Sequence, residues 1–294
     1  TSFKGTPASS DGRVIELSLA AGTHTGITFD RVRSIGQIYC GGATSGVLGV
    51  SWSDVMSQSV GTTVCPVDFT ANPWGGTYDL TLLFNRVAAT GTPSRIPNGT
   101  ITRLCSVRTG QGTQGNGHAM TIDNKQTTTI TGGIWEMGAL DETGDQLQVV
   151  SNPSSAKTLT ITGIIMPPYS SCAPGSFINV SHSGSSANNQ ITVDHNTICC
   201  TDNSGGAGAV GGCVMTENTT GGAGLYASVR SNLFWRSTSG AALATYTASG
   251  TIDAGTYTNV DYNNKYNFTG DGYPQADAKF TSPSPPGTHD LTAS

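Results

Sequence analysis

Short runs of alternating apolar and polar residues, many closing on a polar bend, recur throughout this chain. Examples are Ile27-Thr-Phe29-Asp30-Arg31-Val32, Val50-Ser-Trp52-Ser53-Asp54-Val55 and Leu82-Leu-Phe84-Asn85-Arg86-Val87. The pattern continues as Val193-Asp-His195-Asn196-Thr197-Ile198, Val229-Arg-Ser231-Asn232-Leu233-Phe234 and Val260-Asp-Tyr262-Asn263-Asn264-Lys265. Alternation with period two predicts short strands with one apolar face, and no single copy can bury that face alone. Stacking the copies solves the problem. Nine rungs are expected, with cores at 24–36, 45–59, 77–91, 98–112, 126–140, 156–171, 188–201, 226–238 and 258–270. The aligned positions recur at intervals of ~20 to 36 residues, which fits strands of fixed length joined by loops of variable length.

Helical periodicity is nearly absent. Leu80, Leu83, Phe84 and Val87 give one i, i+3, i+4, i+7 match, in a segment that also reads as a rung. Loops such as 70–76 and 108–117 are rich in Gly, Ser, Thr, Asn and Pro and are expected on the edges of the body. The predicted organisation is a lead-in or cap at 1–23, a repeat body at 24–270 and a Pro-rich extended tail at 271–294. The solenoid end after Tyr266 is expected to need capping by other protein subunits or by further sequence. An antiparallel β-sandwich is the runner-up architecture.

Composition changes the picture in two ways. Only 11% of the 294 residues are charged while Gly numbers 39, so the surface is neutral and hydroxyl-rich, which suits strands and turns. The net charge of −5, with 14 scattered Lys and Arg, argues against a nucleic-acid partner, and the longest apolar run, 164–168, is too short to span a bilayer. Seven cysteines form no CxxC pair, so zinc is disfavoured. Cys40 with Cys65, about one repeat apart, and Cys200 with Cys213, flanking the Gly-rich stretch 204–212, are disulfide candidates, with buried free thiols as the alternative. Sequons at Asn98, Asn179, Asn218 and Asn267 are glycosylation acceptors if the source glycosylates.

The phrases at 193–198, 229–234 and 260–265, with the tail 280–291, resemble right-handed parallel β-helices of the pectate-lyase-like superfamily. The resemblance covers 188–291 well and 24–187 more loosely. It implies an all-β, single-stranded right-handed parallel β-helix of about nine coils, with three sheets around a dry core. It also implies an asparagine ladder at one bend, here Asn85, Asn196, Asn232 and Asn263. The superfamily includes polysaccharide lyases, hydrolases, phage tailspikes and non-catalytic adhesins, so the fold alone selects no activity.

Aligning the last three strong rungs places Asp194, Arg230 and Asp261 in one column. A carboxylate–guanidinium–carboxylate row could bind a uronate, with Ca²⁺ as the conceivable cofactor of a lyase, or it could be a surface ion-pair ladder. His195 is a candidate acid/base beside Asp194, or a hydrogen-bonded turn histidine. No Asp pair accompanies His118, and Glu136, Asp141, Glu142 and Asp145 read as an acidic solvated loop. Trp74 and Tyr262 are the rings expected to stack on a glycan, whereas Trp52 and Trp235 read as packing residues. The expectation is a non-enzymatic extracellular, cell-surface or virion-surface protein with a structural, adhesive or glycan-binding role. Its partner would be a polysaccharide or cell-surface glycan, with no resident cofactor or metal. A polysaccharide lyase or hydrolase is the alternative, and an oligomeric shell or fibre protein a third possibility.

Overall fold

Each phrase becomes a strand because its apolar residues can all point to one side and find partners only in the rungs above and below. A computed structural model describes residues 2–4, 12–41, 46–59, 65–70, 74–84, 93–108, 119–135, 146–151, 157–166, 178–183, 189–200, 213–220, 225–236, 241–250, 257–261, 264–266 and 268–271. Their regular structure is all strand, so no described helix is long and apolar enough to cross a membrane. The segment holding Leu80, Leu83 and Phe84 is the strand Trp74–Phe84, in which Leu80, Leu82 and Phe84 point inward.

All described pairings are parallel and link successive rungs, an arrangement consistent with a solenoid and incompatible with an antiparallel sandwich. The chain alternates between two sheets. One is 15-stranded and the other 10-stranded. The three sheets implied by the family resemblance are therefore two in hydrogen-bonding terms. Long strands such as Val47–Gln58 and Thr158–Met166 run unbroken through a bend, so the first sheet has two arms on different faces. Strands Ser2–Lys4 and Arg13–Ser18, from the expected lead-in, already pair with Arg33–Ile35 and Gln37–Gly41.

The core is a set of in-register columns. On the arm before the bend, Phe29, Trp52, Tyr78, Ile101, Ile130, Ile161, Val193, Val229 and Val260 pair in succession. Val193, Val229 and Val260 are thus neighbours, as the repeat alignment requires. The column begins aromatic: Phe29 and Trp52 lie 5.0 Å apart by ring centroid, and Phe69 reaches across from the second sheet to Trp52 at 5.1 Å. Ring pairs of this kind each contribute ~0.5–1.5 kcal/mol beyond the area they bury.

The bend has its own backbone signature. Arg31, Asp54, Gly132, Gly163, His195 and Ser231 occupy equivalent positions just before its inward residue, and all have positive φ, between 49° and 78°. In the rung of Trp74–Phe84 the bend is one residue shorter, and the register shifts on both sides of Asp79.

Cys40 and Cys65 form no disulfide; both are buried free thiols. Register explains why: Cys40 faces Phe69, four residues beyond Cys65. At ~3.3 Å per residue this offset exceeds the Cα separation a disulfide can bridge. Cys65 Sγ instead accepts from Gln37 Nε2 at 3.0 Å, and burial pushes its thiol up to about 11. The pairing of Cys200 with Cys213 falls outside the described side chains.

Candidate functional site

The residue after each bend position points inward, and its identity changes along the stack. Register places Val32, Val55, Leu80, Leu104, Gly133, Ile164, Asn196 and Asn232 in this column. Apolar side chains fill it in the early rungs and amides in the later ones. Asn196 Nδ2 donates to Asn232 Oδ1 (3.0 Å), Ile161 O (3.1 Å) and Asp194 O (3.0 Å), while its Oδ1 accepts from Ile164 N (2.9 Å). Asn232 repeats the arrangement, accepting from Asn196 N at 2.9 Å and donating to Val193 O at 2.9 Å. Buried amides are tolerated here because both ends find partners. Of the other expected ladder members, Asn85 and Asn263 lie outside the described residues, and in Asn85's rung the column position is taken by Leu80.

Just before the bend, outward-facing residues carry the charge. In the early rungs the groups neutralise one another. Asp54 contacts Arg33 at 2.7 Å and Arg103 at 3.3 Å, and Arg103 reaches Asp79 at 2.7 Å. The Arg33 hydrogen bond holds the Asp54 carboxyl below its ordinary range, and the bond to Asp79 raises the Arg103 guanidinium. This is an ion-pair ladder of partly exposed groups, and such surface ladders contribute little to stability.

The later rungs differ. Asp194, Arg230 and Asp261 pair in register, as the sequence alignment predicts. Yet the Oδ1 of Asp194 and the Nε of Arg230 are buried atoms with no hydrogen-bond partner. His195 places Nδ1 3.0 Å from Asp194 Oδ1, a contact that lacks the alignment of a hydrogen bond. The ring itself is exposed and sits at a bend position with φ 54°, so the turn geometry presents it to solvent. The arrangement offers an acceptor, a fixed planar donor and a tautomeric ring on adjacent rungs, with spare bonding capacity on the first two.

The described aromatic candidates are not on this surface. Trp74 is fully buried and meets the Phe69 ring edge-on at 5.8 Å, so it cannot stack on a sugar. The Gly-rich loop suggested exposure, but Trp74 begins a strand and its ring fills space between the sheets. Trp52 and Trp135 are also buried, the latter donating to Leu104 O at 3.0 Å. Tyr262, His118, Glu136, Asp141, Glu142 and Asp145 lie outside the described residues. Among the described residues no group of three or more His, Cys, Asp or Glu side chains is arranged to hold a metal ion.

Sequence reasoning passed over a second outward feature. On the arm before the bend, Thr28, Ser51, Thr77, Thr100, Thr129, Thr160, Thr192 and Ser228 stack in register, followed by Asn259. The recurring Thr-Ile-Thr at 100–102, 129–131 and 160–162 was its visible signal. Neither a protein-family model, nor a curated protein, nor a solved structure matches this chain.

Proposed function

We propose that this is a non-enzymatic structural or adhesive protein of the extracellular, cell-surface or virion-surface kind, which holds glycans along the bend of its first sheet. The scaffold is read as a right-handed parallel β-helix of about nine coils, of the pectate-lyase-like type. The observation that carries the glycan reading is the in-register row Asp194, Arg230 and Asp261 on adjacent rungs, with the exposed His195 ring beside it. A uronate carboxylate can pair with the guanidinium of such a row, and sugar hydroxyls can donate to its carboxylates. A scaffold pinned by the Asn196–Asn232 ladder holds them at fixed spacing, so binding orders little that is not already ordered. The test is retention of the full chain on a panel of acidic and neutral polysaccharides. Arg230→Ala should abolish retention of the acidic members, and a wild-type chain retained by none would refute the reading.

A second reading uses the same residues for lyase or hydrolase chemistry, and the exposed His195 ring beside Asp194 favours it. Arg230 would neutralise a uronate and His195 would move the proton. Incubation with uronate-containing and neutral polysaccharides separates the two readings. New unsaturated ends or reducing sugar, lost on His195→Ala, would establish catalysis.

A further inference from the structure

We infer that the outward face of the arm before the bend is an ice-binding surface, a function separate from glycan contact at the bend. The face carries a two-dimensional grid of hydroxyl and methyl groups. Its first column is the in-register run Thr28, Ser51, Thr77, Thr100, Thr129, Thr160, Thr192 and Ser228. Two residues further along each strand stand Thr102, Thr131 and Thr162, with Thr131 paired to Thr162.

Parallel pairing sets the rungs ~4.8 Å apart, and alternate residues on a strand recur every ~6.6 Å. The face is thus periodic in two directions, as is the surface of a crystal of water. The residue between the two columns is inward in each of these rungs: Ile101, Ile130 and Ile161 are fully buried, so both hydroxyl columns lie on the same outward face.

The side chains suit the role. Threonine is β-branched and stiff at χ1, so each methyl and hydroxyl keeps its place without a large entropic loss on binding. Thr102 is further fixed by donating to Tyr78 O at 3.1 Å. Thr77, Thr100, Thr102 and Thr131 are exposed, and the rest of the central block, Thr129, Thr160 and Thr162, is half-buried by its own neighbours. Charged groups border this block: Asp79 and Arg103 stand at the bend ends of the Thr77 and Thr100 rungs, and Asp194 and Arg230 in the rungs beyond Thr160.

A dissolved glycan chain is the less fitting ligand for this face. Small-ligand and glycan sites are concave with converging polar groups, whereas here the hydroxyl residues stand in register along the outward face of one arm. A crystalline polysaccharide would be met by exposed rings beside the grid, but in the rungs next to the central block the aromatic residues, Trp52 and Tyr78, point inward. A repetitive solid made of water matches a repetitive row of hydroxyls and methyls.

The test uses the full chain carrying a fluorescent label, with measurement of its incorporation into a slowly growing ice hemisphere and of ice-crystal shape in undercooled solution. Thr131→Tyr and Thr160→Tyr each place a bulky ring on the grid while keeping a strand-forming residue. Thr121→Tyr makes the same change on the outward face of the second sheet. Circular dichroism confirms that each variant keeps its strands. The expected result is wild-type and Thr121→Tyr protein incorporated in ice and shaping its crystals, with both effects lost in Thr131→Tyr and Thr160→Tyr. Exclusion of the wild type from ice, equal incorporation of all variants, or sedimentation with microcrystalline cellulose or chitin in place of ice would each overturn the inference. Arg230→Ala should leave ice incorporation unchanged, so failure here and failure of the glycan reading are told apart.

Discussion

Replacing Asn196 by Asp keeps its shape and tests whether the amide ladder is held by donors or merely by volume. Asn196 Nδ2 faces three oxygens, those of Ile161, Asp194 and Asn232, at 3.0–3.1 Å, and only its Oδ1 meets a donor, Ile164 N. A carboxylate would keep the Ile164 bond and lose the other three side-chain bonds, leaving Asn232 Oδ1 the Asn196 backbone N–H but Ile161 O and Asp194 O without this donor. Each buried acceptor left without its donor costs ~1 kcal/mol or more, and a buried charge without a cation adds to that, so a loss of ~3–5 kcal/mol is expected at neutral pH. Burial among acceptors raises the folded-state pKa of the new carboxyl above its unfolded value of ~3.9. The sign of the linkage follows. The deficit is full above the folded pKa and shrinks as pH falls through it, because the folded form then binds the proton more tightly. Urea midpoints, read from the buried Trp52, Trp74 and Trp135, should show the variant far below wild type at pH ~7 and much closer at pH ~4. An equal gap at both values would refute the claim that donation to three oxygens holds this bend.

Other perturbations separate further causes. Gly133 has φ 134°, and a Cβ there would run into the Leu104 carbonyl, so Gly133→Ala should prevent accumulation of folded protein. At Gly163 the nearest atoms are 3.4 and 3.5 Å from a built Cβ, so Gly163→Ala should cost only the left-handed penalty of ~1 kcal/mol in denaturant titration. Asp54→Asn should lower the melting temperature slightly in low salt and not at all in high salt. Because Arg33 depresses the Asp54 carboxyl, its contribution in wild type is present above the unfolded pKa and fades as pH falls below ~4. Native alkylation at mildly alkaline pH should label half-exposed Cys105 and spare Cys40 and Cys65, whose thiols burial pushes upward; peptide mapping reads each site. Rapid labelling of Cys65 would contradict its burial.

Alternation made most strands legible, because period two is dictated by burial of one face and survives any change of loop. The Asp194–Arg230–Asp261 column was equally legible, since three well-formed phrases share their spacing from the inward Val. Register in the early rungs was not. There the bend falls at Asp79-Leu80, inside the unbroken strand Trp74–Phe84, and no Asn marks it, so the phrase around Asn85 offered a false alignment. Trp74 misled for a similar reason: neighbouring glycines look like a loop, but they allow the close approach of backbone at the start of a strand. The cysteines misled because repeat length fixes only which rungs are adjacent, and a disulfide also needs the right position along the strand. The hydroxyl column escaped attention because Ser and Thr are common throughout the chain, and only pairing reveals which of them line up.

Parallel pairing in a single direction makes the molecule divisible. Thr129 faces Thr100 on one side and Thr160 on the other, and Leu147 stands likewise between Met120 and Ile178. Excising residues 129–159 would therefore bring Thr160 opposite Thr100 and Ile178 opposite Met120, closing the gap with like against like. A gene for such a protein can lengthen or shorten its product one storey at a time, and a cooperative melt of the shortened chain would show that the remaining storeys still fit.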